Sequence, residues 1–421
     1  MLRERLSNNI YFYSHKDDKF KNNILTVNFV LPLSIENASK YAIMPYLLTI
    51  CNEDYGDIVK LNKRFGELYG ANLLVDVKKM GNFQILSIGI NFIDVKYALD
   101  NKNITLDCCH LLFSILKRPY LVEGMFEEKN IKIAKKILFD KIDNRFNNKM
   151  NYAIDKCREY MFSDDIQKIS KYGYRKDIIK LNNHDIKEAY YEIFSRSRIQ
   201  VVYIGSEEEE VKEACKSLFE NYKALPFAKL KLSESNLKNE VCDIEETMDI
   251  SQSKLVLGFK CQSEISPRIS REFIVLNILF GAAPFSKLFI NIREKMGLCY
   301  NCSSRYDKFS NTIMVSMGID SINKEKAIKE TLKQLEEIKL GNFTDEEFEN
   351  AKLIVKNLLL KSRDDVFEIN DKCLSQCLLG ICKSARAEIK SVWLISKEDI
   401  VKVANTIKLD TVYFLKGGNN D

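Results

Sequence analysis

Three short strings from the first half of the chain recur in the second half in the same order, and this duplication limits the fold more than any other feature of the sequence. Leu61, Glu67 and Gly70 fall on Leu288, Glu294 and Gly297 at an offset of 227. Ile88-Gly89-Ile90-Asn91 resembles Met317-Gly318-Ile319-Asp320 at 229, and Asp155-Lys156-Cys157 matches Asp371-Lys372-Cys373 at 216. The slow drift is what loop insertions and deletions produce. A chain of 421 residues also exceeds one ordinary core.

Hydrophobic periodicity gives both halves the same order of elements. The first half reads as strand 24–33, helices 38–51 and 58–69, the latter closed by Gly70 as a C-cap, and strands 71–78 and 83–91 about a Gly81-Asn82 turn. Helices 103–116, 122–146, 152–161 and 183–194 follow, then strand 199–205. The second half reads as strand 254–261, helices 269–280 and 286–296, strands 298–304 and 311–320, helices 324–339, 345–362 and 397–405, and strand 411–417. Between them, the polar stretch 229–246, with Ser233, Glu234, Ser235 and Asn236, reads as a linker. The expected organisation is a domain over 1–228, the linker, and a domain over 247–421. The expected class is α+β, a tandem duplication in which each copy packs helices on a mainly antiparallel sheet.

Composition excludes several function classes. Basic and acidic residues number 64 and 59, and no basic block stands out, so no nucleic-acid footprint is expected. The longest apolar stretch, 273–285, is broken by Asn277, Gly281 and Pro284, too short for a membrane span. The first 22 residues hold no apolar core of signal-peptide length, and twelve cysteines then read as reduced thiols in a cytoplasmic protein. Cys299 and Cys302 form a C-x-x-C pair, but strand alternation points its ends to opposite faces. Cys373 and Cys377 share a helical face, with Cys382 nearby, and Cys108 adjoins Cys109. All of these are expected to be buried free cysteines.

The most specific string is Leu279-Phe280-Gly281-Ala282-Ala283-Pro284-Phe285-Ser286-Lys287-Leu288-Phe289, followed by Ile292-Arg293-Glu294-Lys295-Met296-Gly297-Leu298-Cys299-Tyr300. It resembles the small-residue turn and "SRLF…REKxGLxY" signature of the M16 (insulinase and mitochondrial processing peptidase) family. With the duplication, the resemblance extends over essentially the whole chain. It implies two α/β-sandwich domains of the LuxS/MPP-like metallohydrolase fold. It also implies that Arg293 and Tyr300, with the loop residues Gly281, Ala282, Ala283 and Ser286, face a closed chamber and touch peptide substrate. Arginine and a phenol suit that role, since both donate to a carbonyl on which negative charge develops. The plainer alternative is that Arg293 caps a helix end and Tyr300 covers a sheet surface.

The same resemblance places a zinc site in the first half: an H-x-x-E-H helix, whose histidines and a later glutamate bind zinc while the inner glutamate activates water. This chain has only His15, His110 and His184, no two within seventy residues, so the motif cannot exist here. Set on Tyr46-Leu47, the motif's two histidines fall on Pro45 and Thr49, its catalytic glutamate on Leu48, and the later ligand on Lys141 beside Asp140. No metal and no other cofactor is expected from these residues. His15 reads as a surface residue, His110 as a helix histidine and His184, with Asp185, as part of a cap. No G-x-S-x-G, P-loop or G-x-G-x-x-G is present.

The Met44-Pro45 step, the string from Asn148 to Asp165 and the Phe285 to Lys295 segment resemble bacterial inactive-type M16-like proteins associated with elongation factor P 5-aminopentanol modification. The resemblance implies a non-catalytic subunit that pairs with a zinc-bearing M16 chain, as a heterodimer, and helps enclose a peptide. Two alternatives stand beside it: a stand-alone peptide-binding or scaffolding homodimer, and an active metallopeptidase with a non-standard metal site built from cysteines and carboxylates.

Overall fold

The structure is a computed structural model and describes residues 2–99, 103–220, 222, 237–264, 266–381 and 383–418. Two compact units divide the chain. Unit 1 holds Met1–Ile142, Ile169–Lys231 and Ser362–Lys383; unit 2 holds Asp143–Lys168, Leu232–Lys361 and Ser384–Asp421.

Unit 1 is built on a six-stranded sheet in the order Leu2–Ser7, Ile10–Lys16, Arg198–Gly205, Asn22–Pro32, Phe83–Ile93, Asn72–Met80. Only the Ile10–Lys16 to Arg198–Gly205 pair is parallel. Unit 2 repeats five of these strands in the same spatial order: Cys242–Met248, Ser253–Cys261, Thr312–Ile319 and Cys299–Asp307, with Ile407–Gly417 between the first two. Again only the strand opening the repeat, Cys242–Met248, pairs in parallel, here with Ile407–Gly417. The duplication read from three strings is therefore a duplication of topology.

That comparison shows what the polar stretch 229–246 contains. Residues 229–236 lie outside the described ones, but 242–248 is the opening strand of the second copy. Its burial alternates between half-buried and exposed, as an edge strand's does, and so it lacks the apolar run that marks a central strand.

Among the described residues, one face of each sheet carries the main helical core, and the other takes a single helix. In unit 1 that helix is Val366–Leu378, whose Ile369, Cys373 and Cys377 pack on Tyr13, Val202 and Ile204. In unit 2 it is Lys149–Met161, whose Ala153, Cys157 and Met161 pack on Val256, Tyr413 and Leu415. Each unit thus takes its lone helix from the other half of the sequence. Cys157 and Cys373, matched by the repeat, are both fully buried at these seats. Gly258 lets the Lys149–Met161 helix sit close, since a Cβ there would lie 3.2 Å from Cys157 Sγ and from Met161 Sδ, and both sulfurs would have to give way.

Two expected helices are broken. The 38–51 segment divides into Ala38–Ala42 and Met44–Leu48, because Pro45 has no N–H to continue the ladder. The 122–146 segment opens instead with a hairpin of Leu121–Val122 on Met125–Phe126, and the helix starts at Glu128. Glu123 and Gly124 turn it with φ of 53° and 75°, the mirror-image turn that matches strand twist.

Candidate functional site

The signature segment is wound more widely than an α-helix. Ile278–Ala282 and Phe289–Lys295 form π-helical turns, a winding common at functional sites. The Met296 amide donates to the Asn291 carbonyl five residues back at 3.2 Å, and Gly297, at φ 60°, ends the turn. Between the two turns the small residues serve packing. A Cβ on Gly281 would meet Leu288 Cδ1 and Ser304 Oγ, each at 2.8 Å. Ser286 is buried, and its amide donates to the Ala283 carbonyl at 3.0 Å. Of the four loop residues singled out by sequence, Gly281, Ala283 and Ser286 are buried and only Ala282 is exposed.

The structure brings Arg293 and Tyr300 together. The Arg293 guanidinium carbon lies 4.5 Å from the centre of the Phe289 ring and 5.8 Å from that of Tyr300. Its Nε is 3.4 Å from Glu294 Oε1. Tyr300 is 81% exposed because it is the extra residue of a β-bulge: Cys299 faces Ile319 and Asn301 faces Gly318, leaving Tyr300 without a partner in the ladder. A guanidinium held against aromatic faces keeps its N–H donors available, and with a free phenol it can hold carbonyl or carboxylate oxygens. Phe289 was not singled out from the sequence, although its spacing of four residues from Arg293 on a helix was a usable signal.

The bulge also overturns the expectation for Cys299 and Cys302. One inserted residue restores the phase, so both thiols lie on the buried face, 8% and 7% exposed. Hydrogen bonding from the Cys302 thiol, helped by the Arg293 charge and opposed by burial, holds Cys299 below the ordinary thiol value. The same contact, with burial, pushes Cys302 up.

The positions where the resemblance puts zinc ligands do not fit the ion. Met44–Leu48 is buried at all five residues, Leu48 to 2% exposure. The Thr49 hydroxyl is taken up by the backbone, donating to the Pro45 carbonyl at 2.8 Å. Lys141 is exposed on the helix Glu128–Asn147. A proline ring, an isobutyl group, an engaged hydroxyl and an ammonium supply no zinc donor set. Among the described residues, no group of three or more His, Cys, Asp or Glu side chains is placed to hold a metal ion. His15 is half-buried, 3.7 Å from Asp17, and His110 and His184 are exposed on separate helices. The cap beside His184 is made by Asn182 and Asp185. Among the described residues no helix is long and apolar enough to cross a membrane.

Comparison with known proteins agrees with this geometry. The family model described as "Peptidase M16 inactive domain" matches residues 180–355. The chain is 25% identical over 406 residues to "Probable inactive metalloprotease YmfF" of Bacillus subtilis, covering 96% of this chain and 94% of that one. It is 22% identical over 292 residues to "Uncharacterized zinc protease YmxG" of the same organism, covering 68% and 67%. Among solved structures, a conserved protein from Enterococcus faecalis superposes with a TM-score of 0.89 at 25% identity, covering 100% of this chain and 99% of that one. A protease from Helicobacter pylori superposes at 0.79 with 16% identity, covering 99% of each, and shares the fold. Residues 180–355 thus match the M16 inactive domain, and along nearly its whole length the chain is similar to a probable inactive metalloprotease.

Proposed function

We propose that this chain is the partner subunit of a zinc-bearing M16 peptidase and helps enclose and bind that enzyme's peptide substrate. The observation carrying the reading is an asymmetry between the units. Unit 1 fills its motif positions with Pro45, Leu48 and Thr49, whereas unit 2 holds Arg293 against Phe289 beside an exposed Tyr300. In this reading Arg293 and Tyr300 donate to peptide oxygens, Ala282 lines the same surface, and Gly281, Ala283 and Ser286 shape the loop beneath. The partner is a second M16 chain of similar length that supplies the metal, in the cytoplasm. The link to elongation factor P modification rests on the likeness of the strings noted above.

The test is purification of the tagged chain from its native cells. The expected result is a stoichiometric complex with a protein carrying H-x-x-E-H, with zinc in the complex and none in this chain alone. Arg293→Ala should weaken peptide binding by the complex by roughly tenfold or more, the loss of a charged hydrogen bond. Stoichiometric zinc and chelator-sensitive cleavage by the isolated chain would overturn the reading. A peptide-binding homodimer with no zinc-bearing partner would replace it with the scaffolding alternative.

A further inference from the structure

The bulge at Tyr300 does more than expose a phenol. Across the ladder from Cys299 and Cys302 stand Ile319 and Met317, two residues apart on the unbulged strand. The two cysteines, three apart in sequence, are thereby set at the spacing of same-face neighbours, about 6–7 Å along a strand. That is the upper end of the Cα separation a disulfide spans, about 4.4–6.8 Å. Both thiols enter one apolar cluster with Leu298, Met317 and Ile319, and both are free. Of the two residues between them, Tyr300 has no ladder partner to lose, while Asn301 pairs with Gly318 and accepts its amide at 3.0 Å.

We propose that Cys299 and Cys302 form a reversible disulfide, a redox modification site that locks the bulge carrying Tyr300. The oxidant class is a hydroperoxide, with hydrogen peroxide as the probe. Cys299 sulfur, as thiolate, attacks one peroxide oxygen; the O–O bond breaks, and the departing hydroxide takes up the thiol proton to become water. Cys302 sulfur then displaces hydroxide from the Cys299 sulfenic acid. The S–S bond forms, the S–O bond breaks, and the Cys302 proton leaves with that oxygen as a second water. Two electrons pass from the sulfurs to the peroxide, and a small-molecule dithiol reverses the step by exchange. The Cys302 thiol and the Arg293 charge favour thiolate at Cys299, the sulfur that must attack first. Only the consequence for peptide binding rests on the function proposed above.

Trypsin cutting after Lys295 and Arg305 releases residues 296–305, a peptide holding Cys299 and Cys302 and no other cysteine. The native full chain is treated with hydrogen peroxide, its remaining thiols are alkylated, and this peptide is weighed. The expected product is unalkylated and lighter by two hydrogen atoms, and it takes two alkyl groups after dithiothreitol. Cys299→Ser and Cys302→Ser, checked for folding by circular dichroism, should not give it. A doubly alkylated peptide after oxidation, or sulfinic acid at Cys299 with Cys302 still free, overturns the proposal. The readout is a mass, so it stands or falls apart from any peptide-binding result.

Discussion

Thr49 donates its hydroxyl to the carbonyl oxygen of Pro45 at 2.8 Å, so the two positions on which the resemblance sets the zinc histidines are bonded to each other. The bond closes a five-residue helix whose every residue is buried. These positions are filled by packing and do not form an empty cradle.

Restoring the motif should therefore damage the fold before it yields chemistry. Leu48→Glu places a carboxyl where 2% of the surface reaches water, and should destabilise the protein by about 2–5 kcal/mol through lost packing and desolvation. Urea unfolding measures this, and an unchanged midpoint would contradict the packing described.

Lys260 and Asp410 form the most enclosed ion pair among the described residues of unit 2, with Nζ 3.1 Å from Oδ2 and side chains 5% and 0% exposed. Asp410 is the extra residue of a bulge between the Gly258 and Phe259 pairings with Thr411 and Leu409. Lys260→Met leaves that carboxylate buried without its charge partner, which should cost about 3–5 kcal/mol. A thermal melt of the variant should show a clearly lowered midpoint.

Glu192 predicts a pH dependence for unit 1. Burial raises its pKa, but the Lys40 ammonium at 2.6 Å and the Tyr41 hydroxyl at 3.0 Å outweigh that and hold it below its ordinary value of 4.5. A depressed folded pKa stabilises the fold above the unfolded value, and the contribution is lost as pH falls through the folded one. Glu192→Gln should thus be less stable than the parent at neutral pH, with the gap narrowing below about pH 4.5. Parallel denaturant curves at pH 7 and at about pH 4 would check the sign.

Gly281→Ala should lower stability by about 1–3 kcal/mol, since its methyl group would overlap Leu288 and Ser304. Ala282→Ser, on the exposed neighbour, should lie within about 0.5 kcal/mol of the parent. Equal effects at the two positions would mean the loop packs differently.

The sequence by itself determined the duplication, the absence of the H-x-x-E-H motif and the pairing of Arg293 with Tyr300 in one segment. Each depends on residue identity and short spacing: three isolated histidines cannot make H-x-x-E-H in any fold. The central strands were legible too, because full burial demands unbroken apolar runs. Tertiary structure decided the rest. Cys242–Met248 is a strand because Ile407–Gly417 offers it hydrogen bonds, not because its polar alternation announces one. The helix Lys149–Met161 is legible as a helix over 152–161, and Val366–Leu378 only through the helical face shared by Cys373 and Cys377, yet only contacts far apart in sequence assign each to the sheet it covers. The inserted residue at Tyr300 reversed the facing of Cys302, since strand phase is counted along a ladder and a bulge shifts that count where pairing, not composition, places it.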